Sequence, residues 1–241
     1  MLSEAVIFLD KEKNKRDRLE EKTKVKIEKL IEKVDENPYD PQRYYALGCY
    51  LTELQSFEQA EELFKRALNV FEGQEDKQSL LHYGLGNVFY ATGLFKEASV
   101  EFKMLNGSKY ESDAMLMMAQ TEISNGNYQR ALAYALTAFE KGNNQTRLDS
   151  CIVLGDSFLA LGCFDQACEY YDLYLKDRPN DKHAVFMRGV VETGLGKAPD
   201  AYFGRAKQLD KEYYSKMIER LDDISKVINK GKQGGKDDRT R

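Results

Sequence analysis

A small residue followed twelve positions later by alanine occurs five times in this chain: Gly48/Ala60, Gly86/Ala98, Ala119/Ala131, Gly155/Ala167 and Gly189/Ala201. Successive pairs begin 38, 33, 36 and 34 residues apart. A fixed internal offset within a near-fixed outer period marks a repeat array. Units of this size cannot bury their own apolar faces. They stack on their neighbours and present a long surface instead of one cleft.

The clearest unit runs from Cys151 to about Pro179 and reads as two helices joined at Gly162. Leu154, Gly155 and Phe158 share one face of the first helix; Ala167, Tyr171 and Tyr174 share one face of the second. Gly155 and Ala167 are expected to be small where the two helices cross. Gly162 suits a left-handed turn, and Pro179 can stop the second helix. The first unit repeats the plan with Tyr44, Leu47, Gly48, Leu51, Ala60, Phe64 and Ala67. The second has His82, Leu85, Gly86, Phe89, Ala98 and Phe102, and the third, looser, has Met115, Met118, Ala119, Ala131 and Ala138. In the fifth, Phe203 and Ala206 come about two residues early and Pro199 is expected in the first turn of the second helix.

These residues resemble the tetratricopeptide repeat, a helix–turn–helix unit of about 34 residues. Five units are expected over about 41–74, 79–112, 112–145, 148–181 and 182–214. The resemblance implies an all-α, right-handed α-solenoid whose first helices line a concave groove. It also implies a protein-binding role. Residues 11–40, with Ile27, Leu30, Ile31 and Val34 on one stripe, read as an N-terminal capping half-repeat. Residues 211–229 read as an amphipathic C-terminal cap built on Tyr214, Met217, Ile218, Leu221, Ile224 and Ile228. Segment 1–10 carries the apolar residues Val6, Ile7 and Leu9, which pack on the cap or fill a groove. The tail 230–241 has no core residues and is expected to be disordered.

Net charge is −4 with the signs mixed, which offers no electrostatic footprint for nucleic acid. No apolar run approaches membrane-spanning length, and the start of the chain lacks the order of a secretory signal. A cytoplasmic protein is expected. Four cysteines without metal spacing then read as reduced thiols.

Chemistry is scarce. His82 and His183 are far apart in sequence, and His82 takes a packing position of the second unit. Thr193-Gly-Leu-Gly-Lys-Ala198 lacks the spacing, the hydroxyl residue and the strand of a phosphate loop. No catalytic residue, metal or cofactor is expected.

About a third of a turn from each buried stripe, at roughly 100° per residue, the first helices carry a second stripe. By the resemblance it lines the groove, and it supplies the candidate binding residues. These are Tyr45, Cys49, Tyr83, Asn87, Tyr90, Leu116, Gln120, Ile123, Ile152, Asp156, Leu159 and Phe186. Apolar and aromatic at its centre, the stripe suits a partner helix or an apolar peptide; equally, it can pack on neighbouring helices or on the chain's own terminal segment. A clamp for a C-terminal carboxylate, as in the family members that hold heat-shock chaperones, is excluded. Of Tyr45, Cys49, Asn87, Asp113 and Met117, only Asn87 fits, and no cation is present. Three functions remain open: an interaction module or adaptor, a self-assembling scaffold, or a peptide-responsive regulator.

Overall fold

The computed structural model describes residues 20–221. Its helices are α1 (20–36), α2 (Pro41–Glu53), α3 (Phe57–Val70), α4 (Glu75–Ala91), α5 (Phe95–Lys103) and α6 (Glu111–Ser124). They continue as α7 (Tyr128–Lys141), α8 (Asn144–Ala160), α9 (Phe164–Asp177), α10 (Lys182–Gly194), α11 (Asp200–Leu209) and α12 (211–221). No strand occurs among the described residues. The apolar segment 1–10 and the tail 230–241 lie outside them, as do Ile224 and Ile228. The chain divides into two compact units, residues 1–121 and 122–241.

In the first unit, α2 packs on α3 and α4, α3 on α4, and α4 on α5. In the second, α7 packs on α8, α8 on α9, α9 on α10 and α10 on α11. Most of these contacts join sequence neighbours, as stacking of hairpins requires. The two helices of a hairpin differ in burial. α4 buries Leu80, Leu81, Leu85, Val88 and Phe89 around much of its girth, whereas α3 buries only Ala60, Phe64 and Ala67 along one stripe. A helix buried all round sits between others; a one-sided helix faces water.

Outside the third repeat, the small residue makes room for a ring rather than for the alanine that follows it. A Cβ on Gly48 would lie 2.2 Å from Phe64 Cζ, and one on Gly84 would lie 2.4 Å from the same ring. Phe64 is therefore held between α2 and α4 against two bare backbones. Gly86 receives Phe102 and Gly155 receives Tyr171 in the same way. In all three hairpins the ring is the eighth residue of its helix. The third repeat has alanine at both positions, Ala119 and Ala135, each fully buried.

The fifth hairpin departs from the plan. Its turn, Leu195–Pro199, is two residues longer than the three-residue turns of the others, and Pro199 is the N-cap of α11 rather than a residue of its first turn. Ala201 is exposed, so the sequence pair Gly189/Ala201 does not form a helix crossing. Phe203 fills the space at Gly189 instead, as the fourth residue of α11. A two-residue longer turn and a ring two residues early together amount to about one helical turn.

Helix ends follow ordinary chemistry. Asp40 accepts from Gln42 N–H at 3.0 Å ahead of Pro41. Asn143 accepts from Gln145 N–H at 2.9 Å and Thr146 N–H at 3.0 Å, and Asp181 from Ala184 N–H at 2.8 Å. Turns are made by Gly93, Gly126, Gly162 and Gly196 at φ of 77°, 75°, 74° and 69°. In α1, Ile27, Leu30 and Val34 are half-buried, but Ile31 is exposed, which narrows the expected stripe to three residues. Lys26 Nζ lies 3.7 Å from the Tyr50 ring centroid, and Arg43 donates to the Lys33 carbonyl at 2.6 Å. At the far end, Tyr213, Tyr214, Met217, Ile218 and Leu221 of α12 pack on Val185, Phe186 and Ala206.

Candidate functional site

The predicted stripe has a different character in each unit. In the first, Tyr45 of α2 stacks on Tyr83 of α4, centroids 6.4 Å apart at 28°. Tyr83 stacks on Tyr110, just before α6, at 6.3 Å and 12°. Tyr45 and Tyr83 rest in turn on Phe64 and Phe102, the rings that fill the glycine sites. The ladder thus stands on the core, and its half-buried rings are fixed in position. Burial, then the neighbouring Cys49, pushes the Tyr45 hydroxyl well above its ordinary pKa. Burial likewise raises the Cys49 thiol. Both stay neutral near pH 7.

One turn after Tyr83 on the same face is Asn87. Its Oδ1 is buried and has no hydrogen-bond partner. An amide left this way costs about 1–3 kcal/mol, so a core role does not account for it. Tyr90, one turn further on, is half-buried with its ring tilted over Phe95 at 5.7 Å.

Two predicted contacts require correction. Leu116 is only 8% exposed and Phe186 fully buried. Leu116 belongs with the core methionine Met118 rather than on an accessible stripe. Phe186 is covered by Phe203 at 5.1 Å and by the edges of Tyr213 and Tyr214 at 6.3 and 5.9 Å. The terminal helix takes the place a ligand was expected to hold. Gln120 and Ile123 are half-buried, and so are Ile152 and Leu159, which pack on the cluster of Ala167, Tyr171, Ala184 and Val191.

Asp156, the remaining stripe residue, anchors a network with three partners that sequence reasoning did not bring together. Tyr171 Oη donates to Asp156 Oδ1 at 2.5 Å. His183 Nε2 lies 3.3 Å from each Asp156 oxygen, and its Nδ1 lies 3.0 Å from Tyr213 Oη. Burial and the Asp156 carboxylate push the Tyr171 hydroxyl far up, so it is a donor and not a nucleophile. A signal was present: the ring of the fourth repeat is tyrosine where the first two have phenylalanine, and a buried hydroxyl needs an acceptor. A second network was also missed. Arg188, with its side chain 7% exposed, pairs with Asp172 at 2.8 Å and with Glu192 one turn on, while stacking over Tyr202.

His82 is satisfied by Glu101 at 2.7 Å. Cys151 is buried and Cys49, Cys163 and Cys168 are half-buried, all as free thiols. Among the described residues no cluster of three or more His, Cys, Asp or Glu could hold a metal ion. No described helix is long and apolar enough to cross a membrane. A cavity of about 290 Å³ lies off the stripe, between Phe139, Leu148, Cys151 and Leu173 with Arg147 and Asp177.

Stacked hairpins with glycine-seated rings define a helical repeat protein, and the fold is that of a protein-interaction module. More particularly, residues 45–102 match the tetratricopeptide repeat family model. That segment carries tetratricopeptide repeats, and the fold of the described residues is shared with solved tetratricopeptide structures. Among solved structures the chain resembles YrrB, described as a tetratricopeptide protein with an unusual peptide-binding site. The two are 18% identical over 79% of this chain and 97% of that one, with a TM-score of 0.57. BtubC from P. vanneervenii is 16% identical over 82% and 91%, with a TM-score of 0.66. MamA is 19% identical over 72% and 93%, with a TM-score of 0.57. At these identities the likeness is one of fold. No curated protein matches the chain.

Proposed function

We propose that this protein is a non-enzymatic interaction module whose first unit binds an extended peptide segment of a partner across Tyr45, Tyr83 and Tyr110. The observation that carries this is the unpartnered amide oxygen of Asn87, beside the tyrosine ladder. A helix has already spent its backbone N–H groups internally, whereas an extended segment still offers them. Swinging toward such a segment gives Asn87 the bond it lacks. The tyrosine faces bury the segment's apolar side chains at low entropic cost. That YrrB is described as having a peptide-binding site favours the same reading. Free thiols at all four cysteines accord with a cytoplasmic setting.

The test selects binders from a displayed library of random peptides against the intact chain and follows tyrosine fluorescence on titration. Selected peptides should lose most of their affinity for Tyr83→Asp and Asn87→Leu variants of unchanged helicity. Equal affinity for wild type and both variants would remove the proposal. The self-assembly reading drew on the apolar start of the chain, which lies outside the described residues, and on the C-terminal helix, whose residues up to Leu221 pack on their own fifth hairpin. Light scattering on the intact chain decides it.

A further inference from the structure

We propose that Asn106–Gly107 is a self-modifying site, at which the chain converts its own asparagine to isoaspartate, while the fold keeps a second such pair, Asn125–Gly126, intact. These are the two Asn-Gly pairs of the sequence. A pair of this kind reacts when the glycine nitrogen reaches the asparagine side chain, because glycine carries no side chain to block the approach. Three properties fail to separate the two pairs. All four residues are exposed. Gly107 and Gly126 have φ of 76° and 75°. A Cβ on either glycine would meet nothing within 4 Å, so both have room.

Hydrogen bonding separates them. Gly126 N–H donates to the Ile123 carbonyl at 2.9 Å. Beside it, Asn127 N–H donates to the Glu122 carbonyl at 2.8 Å, and Asn127 Nδ2 donates to the Glu122 carboxylate at 2.9 Å. These bonds tie off the end of α6 and engage the nitrogen that would have to attack. At the other pair, Ser108 N–H closes the turn onto the Leu105 carbonyl at 3.0 Å, and Asn106 N–H reaches the Lys103 carbonyl at 3.3 Å. The Gly107 N–H between them donates to no described residue. It faces water and can lose its proton without first breaking a bond within the protein.

The reaction needs only water. Water or hydroxide takes the Gly107 amide proton, and the nitrogen attacks Asn106 Cγ. A C–N bond forms, the Cγ–Nδ2 bond breaks, ammonia leaves with the proton it needs, and a five-membered imide remains. Water then opens the ring without any change of oxidation state. Cleavage at Cγ gives aspartate; cleavage at the α-carbonyl gives isoaspartate, whose main chain runs through the former side chain and is one carbon longer. Water has access from a polar cavity of about 370 Å³ that Asn106 and Gly107 line together with Glu75, Asp76 and Ser79. Four residues after Asn106 is Tyr110, the ring stacked on Tyr83 at 6.3 Å. A main chain one carbon longer in the turn before it draws that ring off its neighbour.

Ageing the intact chain in mildly alkaline buffer, followed by peptide mapping that separates isoaspartate from aspartate and asparagine, reads the site directly. One net hydrogen bond shifts an equilibrium by a few-fold to about tenfold, so Asn106 should convert up to about tenfold faster than Asn125. In concentrated urea, where both corners are open, the two should convert at similar rates. The near-ultraviolet circular dichroism of the tyrosines should weaken in step with conversion at Asn106. Asn106→Gln, whose longer side chain must close a six-membered ring, should neither convert nor lose that signal. Equal rates at the two pairs in the folded chain, or a difference that persists in urea, would overturn the assignment. An undiminished tyrosine signal in converted protein would overturn its effect on the ladder.

Discussion

The stripe of the first unit and that of the second are built from the same helix positions, yet they leave different chemistry unspent. Around Tyr83 the groups are neutral and aromatic, and the Asn87 oxygen lacks a partner. Around Asp156 every polar atom is matched within the unit, by Tyr171, His183 and Tyr213. A satisfied network holds structure together; an unsatisfied one leaves something for a partner to supply. Repeat position alone does not separate the two stripes, but the hydrogen bonding of each does, and the proposed peptide site rests on that difference.

The comparison is broken most severely at the rings beneath the stripes. Phe64→Ala empties the space between Gly48 and Gly84 and should cost about 3–5 kcal/mol in urea unfolding. It should also topple Tyr45, which leans on that ring. If a loss this large is absent, the glycine seats are not what hold the first unit.

In the second unit the equivalent blow falls on charge. Arg188→Ala strands Glu192, whose side chain is 11% exposed, and should cost about 3 kcal/mol. Arg188→Met fills the volume and should cost less, since a well-packed apolar side chain can replace a buried ion pair. Asn143→Ala removes the cap of α8 and should cost about 1 kcal/mol, read by the same unfolding curve. The smallest and most telling change is Asn87→Leu. It should leave stability unchanged or raise it by about 1 kcal/mol, because it deletes an unpaired amide, while peptide binding is lost. Destabilisation by Asn87→Leu would show that the amide is a structural group and that the two stripes do not differ.

Much of the fold was legible because its signal is periodic. The offsets from Gly48, Gly86 and Gly155 located three hairpins, and Gly162 identified its own turn. What the offsets concealed is the reason for them: each glycine answers to the ring sixteen positions on, not to the alanine twelve on. The fifth repeat showed this once its turn lengthened and Phe203 rather than Ala201 met Gly189. The site was less legible. Helical spacing placed Tyr45, Tyr83, Asn87 and Asp156 on one stripe, but spacing carries no information on what lies over them. Phe186 was lost to α12, and His183 found Tyr213 thirty residues away. Such contacts depend on how a terminal helix folds back, which a local period does not encode.

The hairpin corners carry a consequence of their own. At Gly93, Gly126, Gly162 and Gly196 an added methyl group would meet nothing within 4 Å, so what excludes other residues there is handedness rather than room. Mirror-image amino acids prefer that backbone shape. D-alanine placed at any of these corners by chemical synthesis should therefore stiffen the bend. Gln55, an L-residue already bent to φ 60°, marks the one described corner where natural chirality works against the turn.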